Sequence, residues 1–435
     1  MPRRPRRKRS GGSERLSSYA SLNNAGQMQI PSKETMNARF LGLPRNVFVL
    51  GVTSFFNDFS SEMVFSVLPA FFISVLKSGA QSLGVVEGIA EAASNLIKIV
   101  SGRWSDRIQR RKIFAVFGYG ISVLSRPFYV LATSVGFVVA LRLIDRVGKG
   151  LRDSPRDALI SLSTPEGEAG RSFGYHRAMD TLGAILGPLV AFAVLSYFPG
   201  AFNVIFLTAF ILGLAAVASL AFVTDILRAV RLERGRAALR SFSWQARLYL
   251  VAVFVLSIGG LPLGVLLFKT QDLGIGVASI PLFYAIYNVT YAGFSWPAGR
   301  IADQIGTRRV IVVGYGFLIL AYVVLSLASA VWILVIGFLL LGVFSALTDG
   351  VQRSYLSNLV AEEKKGAAYG YLNGAVGFGA LIAGVGGGYV WQHFGDTIAL
   401  LVAAGVVLAG CGDEADFAEF RHVPAFGAVA PACSR

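Results

Sequence analysis

Long apolar runs separated by short polar loops dominate the chain from Val47 onward. Many of these runs approach the ~20 residues that an α-helix needs to cross about 30 Å of hydrocarbon. In lipid, only helices or closed barrels satisfy the backbone hydrogen bonds, and the short alternating segments of a barrel are missing from the sequence. The pattern therefore predicts twelve transmembrane helices, near residues 47–76, 81–101, 113–133, 135–152, 172–197, 202–223, 248–268, 277–298, 309–329, 331–352, 367–391 and 397–411.

A basic segment between the sixth and seventh runs divides the chain into two halves of six runs each. The fold class that we predict is an all-α integral membrane protein with two six-helix pseudo-repeats. The last run, Thr397–Cys411, is short for a membrane span. Either the twelfth helix is short, or the natural C-terminus has been replaced. The predicted parts are a polar basic tail (1–46), a first bundle (47–223), a linker (224–247), a second bundle (248–411) and an irregular tail (412–435).

A short basic turn occurs twice, once in each half, with apolar runs on both sides. Each copy begins with Gly, places Asp four residues on and closes with adjacent arginines. This repetition predicts that the two halves are structurally related. The matching positions are Gly102, Asp106, Arg107, Arg110 and Arg111 in the first copy, and Gly299, Asp303, Arg308 and Arg309 in the second.

Composition supports a membrane protein. The chain is 54% hydrophobic and 15% charged, whereas soluble domains carry about a quarter of charged residues. The net charge of +15 lies in the loops and the N-terminal arm. We therefore expect the arm to be a disordered tail that contacts anionic lipid, with nucleic-acid binding as the lesser alternative. Lys and Arg cluster in the even-to-odd loops, which predicts that both termini are cytoplasmic. Two cysteines and three scattered histidines indicate neither a disulfide framework nor a metal site.

These residues resemble the major facilitator superfamily over positions 47 to 411. The first basic turn is similar to the loop 2–3 signature of that family, although Gln109 stands where a Gly is usual and the second copy has Gly306. Gly183–Pro188 is similar to the fifth-helix motif that the family associates with proton antiporters, but its trailing Gly pair is absent. Further stretches resemble an uncharacterised bacterial branch of the family: Phe56–Pro69, Arg146–Leu159 and His176–Pro188.

The resemblance implies a secondary transporter that works by alternating access in the inner membrane of a bacterium, without a cofactor. We expect a monomer with a small-molecule substrate and no enzymatic activity. The first hypothesis is a proton-coupled exporter, an antiporter of a small organic or amphipathic molecule. The alternative is a proton symporter that imports a metabolite or an organic anion, bound by Arg126 and Arg142. A membrane-integral enzyme or a transporter-like sensor is the hypothesis from a different class.

The basic turn has a physical logic of its own. Gly102 allows two helix ends to approach closely. We expect Asp106 to lie where the next helix begins, since a carboxylate is favoured at a helix N-terminus. Paired with the neighbouring arginines, it would act as a latch that closes one conformation at the cytoplasmic face. The alternative is that the arginines only determine topology.

Several ionisable residues lie inside the apolar runs. An ionised group in hydrocarbon costs at least about 2.5–3.5 kcal/mol, so these groups must face one another or a wet cavity. Because burial favours the neutral form of a carboxyl group, Asp58, Glu62 and Glu91 are the candidates for proton coupling. For Arg142, Arg146 and Asp180 the alternative is a structural network in which the three neutralise one another. The predicted intramembrane network comprises Arg126, Arg142, Asp145, Arg146 and Asp180.

The second half carries fewer charges and more polar aromatic residues. Its candidates for substrate contacts are Tyr287, Asn288, Tyr291 and Asn373, with ordinary packing as the alternative for the two tyrosines. We therefore expect proton coupling in the first half and substrate contacts shared with the second. No Gly-x-x-x-x-Gly-Lys-Ser/Thr loop is present, which argues against ATP-driven transport by this chain.

Overall fold

A computed structural model describes residues 21–22, 28–29, 39–108, 110–165, 168–225, 239–361 and 364–415; the side chains of residues 21–22, 28–29 and 412–415, and those of Arg103 and Asp106, lie outside this description. The described residues form twelve long helices, and the predicted all-α fold with twelve helices is confirmed. The helices of the first half are α1 (Arg45–Ser74), α2 (Ala80–Ile108), α3 (Arg111–Ser125), α4 (Val135–Ser163), α5 (Ala169–Tyr197) and α6 (Phe202–Ser219). Those of the second half are α7 (Trp244–Ile258), α8 (Ile280–Ile305), α9 (Thr307–Ser326), α10 (Val331–Leu359), α11 (Lys365–Ile382) and α12 (Asp396–Ala415).

Short elements extend or precede these helices. A 3₁₀ turn over Arg126–Leu131 prolongs α3, and a π-helical turn over Ala383–Gly387 joins α11 to a last segment, Gly388–Phe394. Helical turns over Leu263–Leu266 and Lys269–Asp272 follow α7. Two antiparallel pairs of two-residue strands precede α1: β1 (Ser21–Leu22) with β2 (Met28–Gln29), and β3 (Arg39–Phe40) with β4 (Leu43–Pro44).

Local sequence explains where several helices begin and end. Ser134 caps α4 by accepting a hydrogen bond from the Phe137 amide at 3.3 Å, and Ser243 caps α7 through the Ala246 amide at 3.2 Å. Gly306 separates α8 from α9 with φ of +96°, a conformation that favours glycine. α12 is longer than the predicted run, because its backbone remains helical from Asp396 to Ala415. Residues 412–415 of the predicted irregular tail are therefore helical, and residues 416–435 lie outside the described residues.

The two halves repeat one packing scheme. In the first half α1 packs against α5 and α6, and α4 packs against α2 and α3. In the second half α7 packs against α11 and α12, and α10 packs against α8 and α9. Each contact of the first half thus has a counterpart six helices later, as expected of two pseudo-repeats.

The halves meet along two symmetry-related pairs of helices. α2 packs against α11, and α5 packs against α8. Since α8 corresponds to α2 and α11 to α5, the two contacts are equivalent under the pseudo-symmetry. A central space lies between the two halves, with α2 and α5 on one side and α8 and α11 on the other.

Seven described helices are long and apolar enough to cross a membrane by length and composition alone. Five of the twelve described helices are not among these seven: α1, α2, α4, α8 and the shorter apolar helix α12. Four of the five, α1, α2, α4 and α8, contain Asp58, Glu62, Glu91, Arg142 and Tyr291. Charged and polar side chains therefore lower the hydropathy of these four helices.

Candidate transport cavity

A cavity of about 670 Å³ lies between the two halves. Such a volume is typical of small-molecule sites. It extends to Asp303 and Thr307, where α8 is joined to α9, so it reaches the end of the molecule that carries the two basic turns. The charged residues among its lining are Glu91, Lys98, Arg177, Asp303, Asp349 and Arg353.

One wall of the cavity is the face of α2 that carries Glu91, Asn95 and Lys98. These residues are spaced by four and three positions, which places them on one side of a helix. The Asn95 amide donates to the Glu91 carboxylate at 2.8 Å, and the Lys98 ammonium lies 3.2 Å from the Asp153 carboxylate of α4. Of the three predicted proton-coupling residues, Glu91 belongs to the lining that the structure describes.

The opposite end of the central space is closed by direct contact between the halves. A Cβ atom built on Gly84 of α2 would lie 2.2 Å from the Gly384 carbonyl oxygen, and one on Gly384 would lie 2.3 Å from the Gly84 oxygen. Both distances are too short for real side chains. The backbones of α2 and of the π-helical turn after α11 therefore touch because both positions are glycine.

Glu62 takes part in the contact between the halves. The Tyr284 hydroxyl of α8 donates a hydrogen bond to the Glu62 carboxylate of α1 at 2.5 Å. The Tyr284 ring also packs 5.0 Å from the ring of Phe65, measured between centroids. Asp58, one turn earlier on α1, instead accepts a hydrogen bond from Asn57 at 2.9 Å. The two neighbouring acids thus have different partners, and the bond of Glu62 links the two halves.

Arg142 is part of the most deeply buried ion cluster of the site. Its guanidinium group donates to both oxygens of Glu87, at 2.9 and 3.0 Å, and lies 3.4 Å from Asp145. The Arg142 side chain is 2% exposed and that of Glu87 is 9% exposed. Arg146 lies near enough to Asp145 and Glu91 for an electrostatic interaction. Glu87 on α2 is therefore the principal counter-ion of Arg142.

Asp180 does not join that cluster, so the suggested mutual neutralisation of Arg142, Arg146 and Asp180 is wrong. Asp180 lies 3.4 Å from the Nδ1 atom of His176, whose Nε2 atom lies 2.7 Å from the Ser54 hydroxyl of α1. The reason is the packing scheme, in which α5 faces α1 while the Arg142 side of α4 faces α2.

Arg126 makes its hydrogen bonds outside the cluster around Arg142, although it lies near enough to Asp145 for an electrostatic interaction. Its guanidinium group donates to the Asn57 side-chain oxygen at 3.0 Å and to the Ser60 hydroxyl, both on α1. Neither Arg126 nor Arg142 is part of the cavity lining among the described residues. Both guanidinium groups are bound within the first half, which removes them as direct ligands of a solute in this cavity.

The predicted substrate residues fall into two groups. Tyr291 and Asn373 line the cavity. The Tyr287 hydroxyl lies 2.8 Å from Ser345, and Asn288 donates to the Tyr284 carbonyl of its own helix at 3.1 Å. Tyr287 and Asn288 therefore have packing contacts, and neither is among the described lining residues.

The structure describes most, but not all, of the residues of the two basic turns. Asp106 lies in the last turn of α2, and not at the start of the next helix as expected, because α2 continues to Ile108. The prediction that Asp106 lies at the N-terminus of the next helix is therefore wrong. Its side chain and the whole of Gln109 lie outside the described residues, so the latch stays a prediction.

The other positions of the turns differ in exposure. Gly102 lies against Ser154 of α4, and a Cβ atom there would come within 3.3 Å of the Ser154 Cβ atom. Arg111 is buried, whereas Asp303 is exposed. Arg107, Arg110 and Arg309 are also exposed, Arg308 is half-buried, and Gly299 lines the cavity.

Four further polar or charged residues of the apolar runs make contacts at the site: Glu87, Arg177, Tyr284 and Asp349. Tyr284 was detectable, since positions 284, 287 and 291 share one face of a helix. Their rings stack with centroid distances of 6.0 and 6.1 Å. The partners of Glu87 and Arg177 depend on which helices meet, and a single helix pattern does not contain that information.

A second, smaller cavity of about 430 Å³ lies at the closed end, lined in part by Lys77, Gln271, Asp272 and Gln392. Beside it, Lys269 is bound to Asp396 and lies 3.7 Å from Asp272. Burial, together with the nearby Asp396 carboxylate, raises the pKa of Asp272. The closed end therefore carries ionic contacts of its own, which join the turn after α7 to the start of α12.

Comparison with known proteins assigns this architecture to a family of transporters. The sequence model of the Major Facilitator Superfamily matches residues 50–261 and again residues 248–412. The chain belongs to the major facilitator superfamily, and it is a multi-pass membrane transporter.

Relatives and solved structures agree with the assignment. An uncharacterised transporter of this type from Methanocaldococcus jannaschii is 34% identical over 80% of this chain and 89% of that protein. A multidrug resistance protein of Enterobacter lignolyticus is 22% identical over 84% of this chain and 90% of that protein. The crystal structure of a nucleoside transporter superposes with a TM-score of 0.71 at 14% identity, covering 86% of this chain and all of the other, and thus shares the fold.

Proposed function

We propose that this transporter is driven by protons and that Glu62 is the coupling carboxylate. The observation that carries the proposal is the hydrogen bond from Tyr284 to Glu62, which joins the two halves at 2.5 Å. An ionised carboxylate accepts such a bond more strongly than a neutral one. Protonation of Glu62 therefore weakens a contact that keeps one end closed, and this lets the two halves move.

The magnitude of this effect is sufficient for coupling. Hydrogen bonds to charged groups contribute roughly 1.5–3 kcal/mol, and neutral ones roughly 0.5–1.5 kcal/mol. A difference of about 1 kcal/mol changes a conformational equilibrium by roughly fivefold. Glu91 lines the open cavity and is a second carboxylate accessible from that side.

Two observations support export by antiport. The motif Gly183–Pro188 lies on α5, and a Cβ atom on Gly183 would come within 2.5 Å of the Phe55 carbonyl oxygen of α1. The motif thus brings α5 directly against the helix that carries Asp58 and Glu62. One relative is named as a multidrug resistance protein. The distribution of Lys and Arg in the loops supports an inner-membrane orientation with both termini and the open cavity on the cytoplasmic side. We take the transporting unit to be a monomer.

The test uses purified protein in liposomes that contain a pH-sensitive dye. Candidate small organic solutes are added across an imposed pH gradient, and both solute and proton fluxes are recorded. An antiporter accumulates the solute in the acidic compartment, whereas a symporter accumulates it in the alkaline one. Solute movement that is indifferent to the gradient would overturn proton coupling, and chemical turnover without movement would support an enzyme.

Variants locate the coupling step. Glu62→Gln and Asp58→Asn are expected to abolish gradient-driven transport while solute counterflow continues. Glu168→Gln removes an acid that pairs with Arg39 at the surface and serves as the control. Full proton coupling in Glu62→Gln would overturn the proposed role of Glu62, and full coupling in Asp58→Asn would exclude Asp58 as a coupling site.

A further inference from the structure

Arg177 of α5, Tyr291 of α8 and Asp349 of α10 meet inside the cavity, and the coupling proposal does not use them. The Tyr291 hydroxyl donates to the Asp349 carboxylate at 2.8 Å and accepts a hydrogen bond from the Arg177 guanidinium group. The Arg177 guanidinium carbon also lies 5.1 Å from the centroid of the Tyr291 ring. One hydroxyl thus bridges a cation of the first half and an anion of the second.

Both charged groups are open to the cavity. Arg177 and Asp349 line it and are exposed. A guanidinium group has five donors and a carboxylate has about four acceptor positions, so one hydroxyl uses a small part of either. Both residues line a space that accommodates a small molecule.

We propose that this triad recognises a dipolar solute, a small molecule that carries an anionic group and a cationic amine. This inference rests on the proposed transport function. Arg177 binds the anionic group, Asp349 binds the amine, and the solute displaces the Tyr291 hydroxyl from between them. The freed Tyr291 ring packs against the body of the solute. Because the ligands come from both halves, the bound solute joins the two halves.

The charges around the cavity favour a dipolar solute over a single ion. Among the residues that the structure describes, three acids (Glu91, Asp303 and Asp349) and three bases (Lys98, Arg177 and Arg353) line it. Lys98 is bound to Asp153, and Glu91 accepts a hydrogen bond from Asn95. A lipophilic cation would leave Arg177 facing a like charge, and an organic anion would leave Asp349 facing one. A dipolar solute matches both.

Matched sets of small molecules test the proposal with the full-length protein in detergent. One set is phenylalanine, 2-phenylethylamine and 3-phenylpropionate, which differ in charge around one ring. The other is 5-aminopentanoate, pentylamine and pentanoate. Binding is measured by calorimetry at neutral pH without any gradient. In at least one set, the dipolar member is expected to bind at least about tenfold more tightly than both single ions. If neither set shows this order, including the case of no binding at all, the proposal is wrong.

Variants assign the two ends of the solute. Arg177→Gln is expected to abolish the tighter binding of the dipolar solute relative to the amine. Asp349→Asn is expected to abolish its tighter binding relative to the carboxylate. Tyr291→Phe keeps the ring and removes the competing hydroxyl, so the dipolar solute is expected to bind as tightly as before or a few-fold more tightly. A loss of more than about fivefold would contradict displacement of Tyr291. Arg39→Gln and Glu168→Gln remove a surface pair and are expected to leave the order unchanged.

The outcomes separate this inference from proton coupling. Binding is measured without a pH gradient, whereas coupling is measured by proton flux. Failure of the matched sets leaves the coupling role of Glu62 unaffected. Conversely, a transporter without proton coupling would still show the order of binding if the triad recognises dipolar solutes.

Discussion

At the scale of single residues, Arg142 illustrates how a charge is maintained inside the bundle. Glu87 holds the guanidinium group with two hydrogen bonds, and Asp145 adds a second carboxylate at 3.4 Å. Removing one partner of a buried pair leaves the other charge uncompensated, which costs about 3–5 kcal/mol. The pair Arg39–Glu168 has side chains that are 48% and 30% exposed, and exposed pairs contribute about 0–1 kcal/mol.

The two pairs give a matched prediction. Glu87→Gln is expected to lower the melting temperature in detergent clearly, because Arg142 loses its principal counter-ion. Glu168→Gln is expected to change it little. Measurement of both variants by thermal unfolding under one set of conditions decides the matter. Equal melting temperatures for the two variants would contradict the assigned role of Glu87.

Residue types were predictable from sequence, but their partners were not. Asp58, Glu62 and Glu91 stand out because they are acids in apolar runs, and all three are half-buried in the structure. The partner of Glu62 is Tyr284, 222 positions later in the chain. Such a contact depends on how the halves meet, and hydropathy does not contain that information. The error over Asp180 has the same origin.

At the scale of helices, the contact between α2 and the segment after α11 determines which end is closed. Gly84 and Gly384 allow the backbones to touch. The contact coincides with the π-helical turn Ala383–Gly387, a local distortion that often occurs at functional sites. Gly386 lies in the same turn, yet a Cβ atom there would meet nothing within 4 Å.

These glycines provide a second prediction. Gly84→Ala or Gly384→Ala inserts a methyl group between the backbones. We expect this to shift the equilibrium toward the conformation in which the closed end is open and the cavity end is closed. Gly386→Ala is the control, since its methyl group meets no other atom. Ser78 lines the smaller cavity at the closed end. The readout is the labelling rate of Ser78→Cys by a membrane-impermeant thiol reagent, in a background with Cys411→Ser and Cys433→Ser. Equal labelling of all three glycine variants would refute this account of the closed end.

The basic turn after α2 yields a third prediction. If Asp106 acts as a latch with the neighbouring arginines, Asp106→Asn weakens the conformation in which the cavity end is closed. We expect a shift toward the form with an open cavity end and a slower transport cycle. Thiol labelling at that end and transport are measured together. An unchanged balance of conformations would leave only a topological role for the arginines.

At the scale of the whole molecule, the repeated basic turn predicted two related halves, and the packing scheme repeats in both. Seven of the twelve described helices follow from apolar length and composition alone, which hydropathy records directly. The closed and open ends did not follow from sequence, because they depend on contacts such as Gly84 with Gly384. A repeat indicates how each half is built, whereas the conformation depends on the interface between them.

The most direct test of the account measures two distances between spin labels by double electron–electron resonance on the reconstituted protein. One spin-label pair, at Ser161→Cys and Asn358→Cys, spans the cavity end, where α4 and α10 terminate. The other, at Ser78→Cys and Gln392→Cys, spans the closed end. Acidification is expected to lengthen the second distance and shorten the first, and Glu62→Gln is expected to give the acidic distances at every pH. Two distances that do not respond to pH, or that change in the same direction, would contradict proton-driven alternating access through Glu62.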